Sequence, residues 1–201
     1  MASVTKYPGT VSQTTGGHYV SWDNLENIKT AANNMHAVSS TLIQGKDESK
    51  NTPSPITGKG FQFNLPEGAE PTKVTVQYRY RKNVGNDYSS KHKDRVMNIP
   101  GPVIGIGLSG GFYDNGKGVS PTTAMTSHTK SFNVDGKLSR GMVNSGEFYV
   151  NVRFPSNTNK WDGYLRFAYL RVTVEYRTSS YGVSVGKLSG TGYNGDDYTV
   201  R

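Results

Sequence analysis

The sequence of 201 residues contains no cysteine. This absence excludes a disulfide framework, a thiolate zinc site and a thiol nucleophile. No apolar run approaches the roughly 20 residues that a membrane helix needs, and residues 1–8 lack the apolar centre of a signal peptide. The sequence therefore predicts a protein that is made in a cytoplasm, where it stays soluble or joins an assembly, and that has no membrane partner.

Hydrophobic residues are also scarce, at 33% of the chain, and the mean hydropathy is −0.61. Glycine and proline are abundant, with 24 and 9 residues, whereas aromatic residues include 13 tyrosines and 7 phenylalanines. Glycine and proline favour turns over long helices. This composition is typical of an all-β protein with a thin, aromatic core and long loops.

The net charge is +8, which raises the question of an anionic partner such as nucleic acid or an acidic glycan. The lysines and arginines are scattered along the chain, and no run of five occurs. Nucleic-acid sites usually show a clustered basic footprint. The pattern therefore favours a solvated basic surface and predicts no specific nucleic-acid partner.

Period-two alternation is the main structural signal. Phe61, Phe63 and Leu65 alternate with polar residues, and so do four apolar residues between positions 74 and 80. Alternation of this length predicts half-buried antiparallel strands. We predict a hairpin over residues 60–82, with its turn between Pro66 and Pro71.

Further strands are predicted at residues 103–108, 131–134, 148–154 and 164–177. In the last one the apolar phase changes between residues 169 and 170, which predicts a bulge or a strand that changes sheets. Residues 25–35 have one helical face and predict a single short helical segment. Trp22, beside that segment, is predicted to lie in the core.

Three regions follow from this pattern. Residues 1–18 are predicted to form an extended N-terminal arm, residues 19–177 a two-sheet antiparallel sandwich, and residues 178–201 a flexible C-terminal arm that is poor in core residues. The charged loop over residues 83–97 is a candidate interaction loop because of its length.

Catalytic motifs fail on inspection. Residues 105–110 fit the spacing G-x-G-x-x-G, and residues 111–117 fit G-x-x-x-x-G-K. Neither is followed by a segment that could form the helix which a phosphate site requires. The four histidines lack metal-ligand spacing, and no G-x-S-x-G elbow is present. We predict no catalytic, cofactor-binding or metal-binding residues and no enzyme activity; a hydrolase is the minor alternative.

The order of these signals resembles a domain of virion proteins from tailed bacteriophages and archaeal viruses. The resemblance is carried by residues 19–29, 60–69, 73–78 and 170–176 and spans residues 7–177. It implies a jelly-roll-like sandwich used in head decorations, tail fibres or similar virion accessories. Many such proteins carry further modules, whereas this sequence continues only into a short arm, which favours a compact accessory subunit.

Two functions remain open at this point. The first is a virion structural protein, assembled in the host cytoplasm, whose strand edges and arms bind copies of itself and other capsid or tail proteins. The alternative is a carbohydrate-binding module that recognises host surface glycan. For Trp161, exposed binding and burial as a loop anchor are equally open. The candidate interaction residues are Tyr88, Lys91, Arg95, Tyr113, Tyr149, Trp161, Tyr181 and Tyr193.

Overall fold

The computed structural model describes residues 1–16, 19–31, 37–39, 52–83, 101–108, 111–117, 124–154, 164–178, 189–191 and 197–199. Within them the chain forms a sandwich of two antiparallel β-sheets, called sheet A and sheet B below. The chain passes repeatedly from one sheet to the other, as in a jelly roll. The predicted all-β, jelly-roll-like sandwich is confirmed.

Sheet A has six strands. They are β1 (Ala2–Lys6), β4 (Trp22–Asp23), β5 (Ala37–Ser39), β8 (Ala69–Asn83), β11 (Thr126–Asn133) and β13 (Tyr164–Thr178). The order across the sheet is β11-β8-β13-β5-β4, and β1 pairs with another part of β13. The two 15-residue strands β8 and β13 therefore form the centre of this sheet.

Sheet B has five strands. They are β2 (Thr10–Gln13), β7 (Ile56–Lys59), β9 (Val103–Leu108), β10 (Gly111–Lys117) and β12 (Tyr149–Arg153), in the order β10-β9-β12-β7-β2. Two small pairs lie outside the sandwich sheets. Strand β3 (Tyr19–Val20) pairs in parallel with β6 (Thr52–Pro53), and β14 (Ser189–Thr191) pairs antiparallel with β15 (Asp197–Thr199).

The core lies between the two sheets and follows from the alternation along their strands. Sheet A contributes Val74 and Val76 and the rings of Tyr78, Tyr80 and Phe167, all at most 1% exposed. Sheet B contributes fully buried aliphatic side chains from β7, β9 and β12, namely Ile56, Ile104, Ile106, Val150 and Val152. Burying each large aliphatic side chain contributes about 1.5–3 kcal/mol. The same alternation leaves the intervening side chains on the two outer faces.

The predicted change of phase in the last long strand is confirmed as a bulge. The register between β13 and β8 shifts between Phe167 and Tyr169, so that Ala168 has no partner. Leu165 and Phe167 before the bulge, and Leu170 after it, all point into the core. Strand β13 thus stays in sheet A, and the bulge re-aims Tyr169 and Arg171 onto the outer face.

The predicted hairpin over residues 60–82 is wrong in its first half. Residues 60–66 form no strand, and β8 pairs with β11 and β13. Phe61, Phe63 and Leu65 are nevertheless buried, because the intervening Gln62 and Asn64 adopt left-handed backbone angles, with φ of 50° and 52°. Alternate left-handed residues reproduce the burial pattern of a strand without its hydrogen bonds.

Residues 1–18, predicted to be an extended arm, contain two sandwich strands. Strand β1 pairs with β13 in sheet A, and β2 pairs with β7 in sheet B. At the crossing, the amide of Gly9 donates to the carbonyl of Gly60 over 3.2 Å. A Cβ on Gly9 would lie only 2.7 Å from that oxygen, so only glycine fits there. Most of residues 178–201, the predicted C-terminal arm, lies outside the described residues.

Two short helices complete the described structure. The predicted helical segment is a 3₁₀ helix, Leu25–Lys29, which buries Ile28 completely. Helix α1 (Arg140–Asn144) was not predicted; the Ser139 hydroxyl caps it by accepting from the amide of Met142 over 3.2 Å. Trp22 is buried as predicted, and its Nε1 donates to the carbonyl of Ser54 over 2.8 Å.

Candidate functional site

The outer face of sheet B carries two transverse rows of side chains, which we call the Tyr149 face. The register of β2, β7, β12 and β9 aligns Thr10, Lys59, Tyr149 and Gly107 in the first row, and Ser12, Thr57, Asn151 and Gly105 in the second. The backbone of β10 continues both rows beyond the two glycines. A tyrosine and several hydrogen-bonding groups thus lie beside two positions without side chains.

Tyr149 is the aromatic residue of this face. Its ring is half-buried, and the Nζ of Lys59 lies 5.8 Å from the ring centroid. A cation over an aromatic ring is attracted by the ring's negative face. This contact orients both side chains on the outer surface.

Asn151 is the buried polar residue of the same face, with 8% of its side chain exposed. Its Nδ2 donates to the hydroxyl of Thr57 over 2.9 Å, which fixes that hydroxyl beside Lys59. Its Oδ1 is inaccessible and has no hydrogen-bond partner. A buried acceptor without a partner costs stability, so this amide is not explained by the stability of the sheet.

The outer face of sheet A carries four arginines, which we call the arginine face. Arg79 and Arg81 lie on β8, and Arg166 and Arg171 lie on β13; all four are half-buried. Arg81 stands directly opposite Arg166 in the register, and Arg79 stands opposite Tyr169. Like charges opposite each other in a sheet repel, and this pairing concentrates positive charge on the outer face of sheet A.

The rest of the sheet A surface is internally hydrogen bonded. Hydroxyl pairs join Thr5 to Thr173 over 2.8 Å and Thr75 to Ser131 over 3.0 Å. The Tyr169 hydroxyl lies 3.1 Å from that of Ser127. These cross-strand pairs satisfy short polar side chains on an open sheet face.

A cleft of about 670 Å³ lies at the end of the sandwich, between the start of β8 and residues 135–142. Three of its charged side chains pair: Arg177 contacts Glu70 over 2.6 Å and Asp135 over 3.0 Å. Hydrogen bonds first to Glu70 and then to Asp135 raise the pKa of Arg177 above its ordinary value. Lys137 and Arg140 line the same cleft, so it holds both paired and additional positive charge.

Two ionisable groups lie in the aromatic core of sheet A. His128 stacks on Tyr78 with 5.6 Å between ring centroids and lies 5.0 Å from the ring of Tyr80. Desolvation lowers the pKa of His128 below its ordinary value. Burial, with a smaller contribution from Tyr78, raises the pKa of Tyr80. These groups face the core, so they belong to the packing and to neither outer face.

The structure places only two of the predicted interaction residues. Tyr149 lies on the outer face of sheet B, and Tyr113 lies on β10 at the register shift between Phe112 and Asp114. The other six lie outside the described residues: Tyr88, Lys91, Arg95, Trp161, Tyr181 and Tyr193. Those six assignments stay predictions.

The sequence reasoning missed the arginine face. Arg79 and Arg81 occupy the polar phase of an alternating strand, and that signal already placed both on one outer face. Arg166 and Arg171 are distant in sequence, and the bulge at Ala168 is what brings both to the same side. A register across two strands is required before the four charges form one patch.

The described part of the chain shows neither a metal cluster nor a membrane-spanning helix. Over those residues, no group of three or more histidine, aspartate or glutamate side chains could hold a metal ion. No helix within them is long and apolar enough to cross a membrane.

No family model and no curated protein matches the sequence. Among solved structures, one described as "CBM4 structure and function" matches with a TM-score of 0.39 and 10% identity, over 86% of this chain and 94% of that chain. The N-terminal cellulose-binding domain of Cellulomonas fimi β-1,4-glucanase C matches with a TM-score of 0.32 and 10% identity, over 88% of both chains.

A longer structure is also similar. It contains the CBM22-1 and GH10 modules of Clostridium thermocellum endo-1,4-β-D-xylanase 10B complexed with xylohexaose, with a TM-score of 0.44 and 8% identity. The match covers 88% of this chain and only 28% of that chain. At these TM-scores and identities the likenesses assign neither a family nor a ligand. The virion role and the virion partners stay predictions.

Proposed function

We propose that the protein is a non-catalytic glycan-binding module that holds a polysaccharide chain across the Tyr149 face. The observation that supports this proposal most directly is the half-buried ring of Tyr149 on an outer sheet face, contacted by Lys59 and flanked by polar side chains. This proposal corresponds to the alternative function predicted from the sequence.

The chemistry of a sugar matches this surface in two ways. One face of a pyranose ring presents C–H groups, which pack against an aromatic ring and exclude water from it. The hydroxyl groups at the rim need donors and acceptors, which the Lys59 ammonium and the Thr57 hydroxyl provide. Binding sites commonly combine an apolar contact area with a few placed polar groups.

The two glycines of β9 add a steric element. Gly105 stands opposite Asn151, and Gly107 stands opposite Tyr149. Both glycines are buried, and without a Cβ they let neighbouring groups approach the backbone closely beside Tyr149.

Asn151 acts in this proposal as a positioning residue. Its amide holds the Thr57 hydroxyl, while its second polar atom stays unsatisfied. A residue kept for stability would have both ends paired or would be apolar. The cost of this amide is accounted for if the position of Thr57 matters for binding.

The test uses a panel of neutral xylo-, cello- and manno-hexasaccharides, measured by titration calorimetry on the full chain. We expect Tyr149→Ala to weaken the tightest of these interactions by about tenfold, equivalent to about 1.4 kcal/mol, whereas Tyr149→Phe keeps most of the affinity. Tyr19→Ala is the matched control, because Tyr19 is 41% exposed and lies on β3, outside the two sandwich sheets.

Two outcomes would overturn the proposal. One is that no hexasaccharide of the panel binds the wild-type chain. The other is that Tyr149→Ala and Tyr19→Ala bind as tightly as the wild type.

A second variant separates positioning from folding. Asn151→Leu removes an unsatisfied buried acceptor, so we expect the thermal midpoint to change little while sugar affinity falls. Equal losses of stability and affinity would show instead that Asn151 supports only the sheet.

A further inference from the structure

We propose that the arginine face of sheet A binds an acidic polysaccharide through its carboxylate or sulfate groups. The site is separate from the Tyr149 face and stands whether or not that face binds sugar. Four guanidinium groups from two adjacent central strands form it, namely those of Arg79, Arg81, Arg166 and Arg171.

The arrangement follows from strand geometry. Arg79 and Arg81 are two residues apart on β8, so their Cβ atoms lie on one face about 7 Å apart. Arg166 is opposite Arg81 across one strand spacing, and the bulge returns Arg171 to the same face beyond Tyr169. The charges therefore form a compact patch about two strands wide.

Little negative charge offsets this patch among the described residues. Glu70, Asp135 and Glu175 lie near the other end of β8 and β13, where they pair with Arg177 and Lys73. By register the nearest described carboxylate is Asp23, on β4, two strands away from Arg166. Two strand spacings are about 10 Å, a full Debye length in physiological salt.

The arginines also have unused donors. The Nε atoms of Arg79 and Arg81 are inaccessible and make no hydrogen bond. Guanidinium groups bind carboxylate and sulfate in a bidentate fashion, and such charge-assisted bonds are stronger than neutral ones. A bound anion would contact the outer nitrogens of these guanidinium groups and reduce the repulsion between the opposed arginines.

The surroundings favour an acidic polysaccharide over a nucleic acid. Single-stranded nucleic acids bind by stacking bases on aromatic rings, but the Tyr169 ring lies under Arg171, with 5.8 Å between the guanidinium carbon and the ring centroid. The same face continues into Gln77, Thr75 and Thr173, which pair within the sheet with Arg171, Ser131 and Thr5. A paired hydroxyl keeps a lone pair that can accept from a ligand hydroxyl, which suits a ligand rich in hydroxyls that carries regularly spaced anions.

The experiment compares four probes in titrations of the full chain: polygalacturonate, dextran sulfate, uncharged dextran and a 20-nucleotide oligo-dT. We expect one or both acidic polysaccharides to bind and dextran not to bind. Their relative affinities distinguish carboxylate from sulfate recognition. The double variant Arg79→Gln, Arg81→Gln should weaken the acidic polysaccharide at least tenfold.

Two matched variants serve as controls. Lys59→Gln, Lys137→Gln removes the same charge away from the patch, on sheet B and at the end of the sandwich, and should change the affinity less than threefold. The double variant Arg79→Lys, Arg81→Lys changes the same two residues but keeps their charge. It should lose part of the affinity, because a lysine cannot bind an anion bidentately. This variant also serves if the glutamine variant fails to fold, as judged by its thermal melting.

Several results would overturn the proposal. Tighter binding of oligo-dT than of both polysaccharides would assign the face to nucleic acid. If the double arginine-to-glutamine variant and the double lysine-to-glutamine control lose the same affinity, the attraction is by net charge alone. If neither polysaccharide binds, the proposal is refuted. Tyr149→Ala should leave this affinity unchanged, so failure here and failure of the Tyr149 face can be told apart.

Discussion

The outer faces of the two sheets differ in the charge and the size of the side chains that they carry. The arginine face of sheet A crowds four cations onto its two central strands, whereas the Tyr149 face of sheet B has one aromatic ring, one buried amide and two glycines. Both faces depart from what stability alone favours, through opposed like charges in one case and an unsatisfied amide oxygen in the other. Two kinds of recognition can therefore be built on the two sides of one sandwich.

The largest difference between the two faces should come from substituting Gly58. This residue lies on β7 between Thr57 and Lys59, and a side chain at its position would face the core. A Cβ there would lie 2.9 Å from Cδ2 of Leu170 and 3.2 Å from Cβ of Pro8. We expect Gly58→Ala to destabilise the fold by about 1–3 kcal/mol, measured by chemical denaturation. By displacing β7 it should weaken binding at the Tyr149 face more than at the arginine face, which it reaches only through the Leu170 side chain.

The control for Gly58→Ala is Gly141→Ala. Gly141 lies in helix α1, where the nearest atom to an added Cβ is the Ser139 Oγ at 3.8 Å. Alanine should be neutral or stabilising there by up to about 1 kcal/mol. Equal destabilisation by both variants would contradict the claim that crowding against Leu170 and Pro8 is the cause.

Ionic strength should separate the faces next. Contacts between exposed charges weaken with salt, because ions screen them and because releasing counterions from a polyanion gains less entropy at higher salt. Raising sodium chloride from about 50 to about 500 mM should weaken acidic polysaccharide binding by about tenfold or more, as for other ligands that contact several cationic side chains. Binding of a neutral hexasaccharide should change by less than about twofold.

Titrations of the same sample with both ligands at each salt concentration provide this measurement. If the affinities for both ligands fall equally with salt, the two ligands bind through the same electrostatic attraction, and the distinction between the two faces is wrong.

The smallest expected effect concerns the core beneath the arginine face. The pKa of His128 is lowered in the folded state, so the unfolded chain binds the proton more readily. By linkage, stability is fully present above pH about 6.5, the ordinary histidine pKa, and falls as the pH drops below it. The free energy of unfolding should decrease between pH 7.5 and 5.5.

The variant His128→Phe should reduce this pH dependence, because a phenyl ring can stack on Tyr78 without titrating. The groups that face His128 from β8 are the rings of Tyr78 and Tyr80, and burial raises the pKa of Tyr80 further above this range. An unchanged slope in the variant would assign the pH dependence to carboxylates elsewhere.

Much of the fold could be predicted from the sequence because alternation reports burial. The strands β8, β9, β12 and β13 and the bulge at Ala168 all follow from which residues are apolar. The hairpin over residues 60–82 shows the limit of this signal. Burial alternates at Phe61 and Phe63 although the backbone is left-handed at Gln62, and sequence periodicity does not distinguish the two geometries.

The candidate sites could be predicted less well, because they depend on register. Tyr149 was found from its position on a strong strand. The four arginines were recognised only as scattered charges, because Arg81 and Arg166 become neighbours through the pairing of β8 with β13. Helix α1 was missed because its five residues include glycine and asparagine, which are weak helix formers.

The pairing of β1 with β13 has a consequence for synthesis on the ribosome. Ala2 aligns with Tyr176 and Lys6 with Val172, so strands from nearly opposite ends of the described sandwich must meet. Such distant pairings are slow to form, and a growing chain completes them late. Until β13 has left the ribosome, residues 2–6 lack the strand with which they pair in the sandwich. During that time their exposed edge must be kept from pairing with other chains.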